Sequence, residues 1–146
     1  MVFKEALYYR KLGDKKVSCK LCPHECIIEN GEDGTCNVRR NINGKLKSMN
    51  YGKTSIATFK KVEENSLYHF MPGKEFLNIT IPGNNLSGKY YSDNGNLEKT
   101  PTFEQSPGKV TKQAEKSSGI LLAGEPGIYY EYAKEVSEKN KSKTII

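Results

Sequence analysis

The sequence has no tryptophan, only two histidines, and only 31 Leu, Ile, Val and Phe residues among its 146. That apolar share lies near the roughly 20% level below which a chain buries too little surface to offset its ordering entropy. A well-filled core along the whole length is therefore not expected. The histidines, His24 and His69, leave little material for Ser-His-Asp or His-based acid–base machinery. Long apolar runs are also missing. The longest lies around Ile120–Gly124, and the chain opens Met-Val-Phe-Lys-Glu, without the apolar stretch of a signal peptide or membrane span. A cytoplasmic protein with no membrane partner is expected. The length itself excludes a complete eight-stranded barrel, which takes roughly 200 residues or more.

Charge is present but uneven. The net charge is +6, and residues 1–61 hold 13 of the 23 basic residues against 6 of the 17 acids, while the remainder is close to neutral. A basic segment of this kind suits a polyanion, and it equally suits a solvated surface.

Periodicity divides the chain. Residues 3–12 place Phe3, Leu7 and Tyr8 on one helical face before Gly13-Asp14, which predicts a short helix. From Val17 to Met49, Asn30-Gly31, Asp33-Gly34 and Asn43-Gly44 supply the chemistry of tight hairpins. Residues 50–75 read as irregular around the aromatic knot Leu67-Tyr68-His69-Phe70-Met71. Phe76–Ile81 alternates apolar and polar side chains and predicts a strand. Residues 82–118 carry only four Leu, Ile, Val or Phe and read mostly as loop, with a helix opened by Ser106 and Pro107 near their end. A buried strand at Gly119–Ala123 and a helix with Ile128, Tyr129, Tyr132, Ala133 and Val136 on its apolar face follow. Lys143–Ile146 opens a further strand, so the chain reads as cut short. The expected fold class is α/β: a Cys-rich metal-binding β module over residues 1–60, then an incomplete barrel of about two βα units over residues 61–146, interrupted by an irregular loop.

The most specific motif is Cys19-Lys-Leu-Cys22-Pro-His-Glu-Cys26, with Cys36 following after two glycine turns. Thiolates two residues apart grip one metal, and a second pair delivered by a hairpin completes a tetrahedron. Zinc and an iron–sulfur cluster both accept four thiolates, and the spacing leaves the choice between them open. His24 lies within the motif and reads as an outer partner of a sulfur. A filled coordination sphere has no open position for chemistry, so the metal is expected to be structural.

Taken together, Glu5-Ala-Leu-Tyr-Tyr, Cys-Lys-Leu-Cys-Pro-His-Glu-Cys, Gly-Thr-Cys36-Asn-Val-Arg39, Tyr51-Gly-Lys and Ser66-Leu-Tyr-His-Phe-Met-Pro-Gly resemble the radical SAM proteins of the AmmeMemoRadiSam type. These are relatives of the pyruvate formate-lyase activating enzymes. The resemblance is dense over residues 5–83 and resumes at Glu125-Pro126-Gly-Ile-Tyr-Tyr. It implies a barrel in which a Cys-x3-Cys-x2-Cys loop after the first strand holds a [4Fe-4S] cluster and S-adenosylmethionine, the source of a 5′-deoxyadenosyl radical. It also implies that Tyr90 would contact adenine and that Gly124-Glu125 would meet the cofactor's amino group.

The sequence departs from that family at the cluster. Aligned on the Phe76–Ile81 strand, the three cysteine positions fall at Asn84, Gly88 and Tyr91. Asn and Tyr are poor cluster ligands and Gly offers no side chain, so no radical SAM cluster is expected there. Three functions follow. The first is a degenerate or truncated radical SAM homologue with a structural metal and no catalytic residues of its own. The second is a metal knuckle binding nucleic acid or a protein through Lys11, Lys15, Lys16, Lys20, Arg39, Arg40, Lys45 and Lys47. The third places an iron–sulfur centre at Cys19, with a partner chain completing the barrel.

Overall fold

A computed structural model describes residues 3–86, 97, 99–140 and 143–145. The first fifty residues build two small antiparallel sheets. Strands β1 (Lys4–Glu5), β5 (Arg39–Ile42) and β6 (Lys45–Ser48) form one, in the order β1-β6-β5. Strands β2 (Tyr9–Lys11), β3 (Val17–Cys19) and β4 (Ile27–Ile28) form the other. The hairpin between β5 and β6 turns at Asn43-Gly44, both with positive φ, as the Asn-Gly pair requires. Asn41, fully buried, ties the sheets together: its Nδ2 donates to the carbonyls of Lys15 at 2.7 Å and Ile28 at 2.9 Å. Between the sheets lies a small core of Ala6, Val17, Cys19, Ile28 and Leu46.

Beyond these, β7 (Lys53–Thr54) pairs with β10 (Phe103–Glu104). The largest sheet has the order β12-β11-β9-β8, built from β8 (Ile56–Lys61), β9 (Glu75–Ile81), β11 (Gly119–Gly124) and β12 (Lys143–Ile145). Strand β11 runs parallel to β9 and β12, and β8 runs antiparallel to β9. Helix α1 (Pro107–Ala114) starts at Ser106, whose hydroxyl accepts the Lys109 N–H. Helix α2 (Tyr130–Lys139) follows a short 3-10 turn at Pro126–Tyr129. Alternate residues of β9 and β11 face these helices, so Leu77, Ile79, Ile81, Ile120 and Leu122 meet Val110, Tyr132 and Val136 in the main core. The opposite face is covered at Phe76 and Leu121 by Val62, Leu67 and Met71. No helix among the described residues is long and apolar enough to cross a membrane.

The expected α/β architecture, a metal-binding module joined to an incomplete barrel of two βα units, is not what forms. Most strand pairings are antiparallel, and the two helices have only 8 and 10 residues. The decisive element is β8. Residues 50–75 read as irregular in the sequence, yet β8 pairs antiparallel with β9, Ile56 opposite Thr80 through Lys61 opposite Glu75. A barrel closes only if a parallel strand stands on that side. The chain forms a mixed sheet with its own edge strand instead.

The predicted helix over residues 3–12 is also absent. Its backbone groups are drawn into non-local ladders, Lys4–Glu5 with β6 and Tyr9–Lys11 with β3. Tyr8 between them has φ of +54°, which no helix tolerates, and Leu7 and Tyr8 stay exposed.

Candidate metal centre

Three pieces of chain converge on the cysteines. Cys19 ends β3; Cys22 and Cys26 lie in the turn from β3 to β4; Cys36 lies in the turn that enters β5. The first loop is held shut by the Cys19 N–H donating to Cys26 O at 2.9 Å and the Glu25 N–H donating to Cys22 O at 3.1 Å. The second turns at Asn37, whose φ is +54° and whose N–H donates to Gly34 O at 2.8 Å. Gly34 lets the loops approach: a Cβ there would stand 3.1 Å from Ile28 Cδ1 and 3.7 Å from Cys26 Sγ.

All four cysteines are free thiols, and all four line one cavity together with His24 and Arg39. The Cys22 sulfur lies 3.7 Å from His24 Nδ1, and the Cys26 sulfur lies 3.3 Å from Thr35 Oγ1. Burial pushes the Cys36 thiol pKa up, against the pull of the Val38 and Arg39 backbone N–H groups and of the Arg39 charge. Cys19 and Cys36 are buried, and Cys36 packs with Val38 into the main core. Among the described residues, no three His, Cys, Asp or Glu side chains stand close enough to hold a metal in the conformation seen.

Sequence reasoning places Arg39 only among the basic residues of a polyanion-binding face and does not reach Glu131. Both side chains are 2% exposed, and Arg39 Nη2 donates to Glu131 Oε1 at 2.5 Å. The same Oε1 accepts the Leu7 N–H at 2.7 Å, and Arg39 Nη1 donates to Leu7 O at 3.0 Å. This knot fastens β5 to α2 across the N-terminal strands. The available sign was a carboxylate flanked by Tyr130 and Tyr132 beside an apolar helix face.

The other predicted site residues scatter. Asn84 caps its own turn, its Oδ1 accepting the Leu86 N–H at 2.8 Å. Gly88, Tyr90 and Tyr91 lie outside the described residues. Gly124, with φ of +101°, is in register with Ile81, so Gly124-Glu125 stands at the same strand ends as Pro82-Gly83-Asn84. Glu125 O accepts the Ile128 N–H at 3.1 Å to open the 3-10 turn. His69 is exposed. Of the eight basic residues named for nucleic acid, Arg39 is buried, and four are paired: Lys16 with Glu29, Lys20 with Glu25, Arg40 with Asp33 and Lys47 with Glu5.

The chain is similar to an uncharacterized protein of Methanocaldococcus jannaschii, 34% identical over 142 residues that take in 92% of this chain and 42% of that one. It therefore spans about two-fifths of the length of the curated relative it matches. No protein-family model matches the chain. No solved structure matches it either.

Proposed function

We propose that the chain is a radical SAM relative whose N-terminal sheets are stapled by one structural zinc ion on Cys19, Cys22, Cys26 and Cys36, and that it performs no radical chemistry of its own. The observation that carries this reading is that four free thiols from three chain segments line one cavity, where a bound ion would have to draw them closer than they stand. Four thiolates are a donor set for zinc or iron. Zinc is the ion whose structural sites close with four thiolates in a tetrahedron, which suits a site that staples small sheets. The need for a staple is physical: among the described residues the adjoining core has five buried apolar side chains, and one of them is a cysteine. So small a core contributes little stability, and a structural metal contributes folding free energy directly. When bound, zinc would supply structural cross-linking. Thr35 and His24 would hold the sulfurs in place from outside.

The absence of radical chemistry rests on Asn84, whose side chain is engaged in its own turn where the resembled family has a cluster cysteine. Ion pairing of much of the basic face favours the structural reading over nucleic-acid binding. Titration of the reduced, metal-free protein with cobalt(II) tests the site. One equivalent should give thiolate charge-transfer absorption and the visible bands of a tetrahedral ion, both removed by zinc. Absence of saturable binding overturns the metal reading. Anaerobic loading with iron and sulfide should yield no 5′-deoxyadenosine from S-adenosylmethionine, and its formation would contradict the second half of the proposal.

A further inference from the structure

A cavity separate from the cysteines opens between the edge strand β8, strand β10 and helix α1. It holds about 300 Å³, the small end of the roughly 300–1,000 Å³ that ligand sites occupy. Its walls are apolar: Ala57 and Phe59 from β8, Leu77 from β9 and Phe103 from β10. Phe59 stands opposite Leu77 in register, so it shares the sheet face that carries the main core. Yet Phe59 is 40% exposed and Phe103 44%. Two large rings left open beside one cavity mark a surface that takes up a partner of like character.

The cavity also has a polar side, formed by Gln105, Gln113 and Lys116. Gln105 is only 3% exposed, and its Nε2 donates to Gln113 Oε1 at 3.2 Å. Its own Oε1 is buried and meets no donor among the described residues. An unmatched buried acceptor costs stability, and meeting it recovers that cost. The last torsion of a glutamine side chain is soft, so the oxygen can turn to a donor placed in the cavity. Lys116 is exposed and makes no ion pair among the described residues.

We propose that this cavity binds a small, flat aromatic acid with a hydrogen-bond donor on its ring. The rings of Phe59 and Phe103 select the flat apolar body. The Gln105 oxygen selects an N–H or O–H, and the Lys116 ammonium selects the carboxylate. None of the three depends on the cysteines, so the site stands apart from the metal reading.

Three probes separate these features: indole-3-acetate has all of them, indole-3-acetamide lacks the charge, and 1-naphthylacetate lacks the ring N–H. Titration of the full chain followed by NMR should show saturable shifts at Phe59, Phe103 and Gln105 with indole-3-acetate, at a dissociation constant of about 1 mM or tighter. The other two probes should bind several-fold more weakly. Lys116→Gln should erase the preference for the acid over its amide. Gln105→Met should erase the preference for indole over naphthalene and leave the urea midpoint unchanged or higher, because an unmatched buried oxygen is gone. Phe103→Ala, at an exposed ring, should weaken all three probes while the fold persists, and it carries the test if Gln105→Met does not fold. No saturable shift at these residues up to about 10 mM overturns the site. Full affinity in Phe103→Ala does the same, as do preferences left unchanged in both polar variants.

Discussion

Gly83 occupies a junction with no room for a side chain. Its φ is +130°, and a Cβ would stand 2.7 Å from Ile128 Cδ1 and 2.8 Å from Val38 Cγ1. Val38 belongs to the cysteine-bearing turn and Ile128 to the turn before α2, so this one residue sets how closely the module seats on the main core. Asn50 holds the same spot from below, its Nδ2 donating to Pro82 O at 3.0 Å. Gly83→Ala should therefore cost about 3 kcal/mol, from a strained backbone and an overpacked contact together. Equilibrium urea denaturation measures it, and a cost under about 0.5 kcal/mol would show that the junction yields. The glycine was visible in the sequence as part of a turn. Its packing role was not, because the two atoms that forbid a Cβ come from residues 45 positions away on either side.

At the scale of elements, α2 is clasped to the N-terminal strands by its outer face as well as by Glu131. Glu135 receives Lys139 Nζ at 2.8 Å, the Tyr51 hydroxyl, and Lys4 Nζ at 3.4 Å. Hydrogen bonds from Lys139 and then Tyr51 hold its carboxyl pKa down at about 2. A carboxylate with a lowered folded-state pKa stabilises the fold fully above its ordinary value of 4.5 and loses that contribution as pH falls toward about 2. Stability should accordingly decline over that window, and Glu135→Gln should flatten the decline while leaving the slope above about pH 5.5 unchanged. Urea midpoints across the range read this directly. An unaltered slope would remove the clasp from the account.

The elements differ in how legible they were. Strand β9 and helix α1 were readable because their signals are local: alternation in Phe76–Ile81, and a Ser106-Pro107 start. Strand β8 was not, since as an edge strand it buries none of its six residues fully and shows no alternation. Residues 3–12 carried helical spacing that long-range pairing overrode. Spacing marked the four cysteines as a group; the Arg39–Glu131 knot joins charges far apart in sequence that each looked solvated.

At the scale of the whole molecule, two cores of unequal size hold the chain. The mixed sheet and its two helices have a core of about a dozen buried side chains, reached from the N-terminal segment by Cys36 and Val38. The two small sheets have five. Metal should accordingly control the small sheets far more than the large one. The central claim is that one zinc ion, held by four sulfurs, supplies what that small core lacks. X-ray absorption at the zinc edge of the purified, zinc-loaded protein tests it most directly. The account predicts a single shell of four sulfurs at about 2.3 Å. A shell dominated by nitrogen or oxygen at about 2.0–2.1 Å would contradict it.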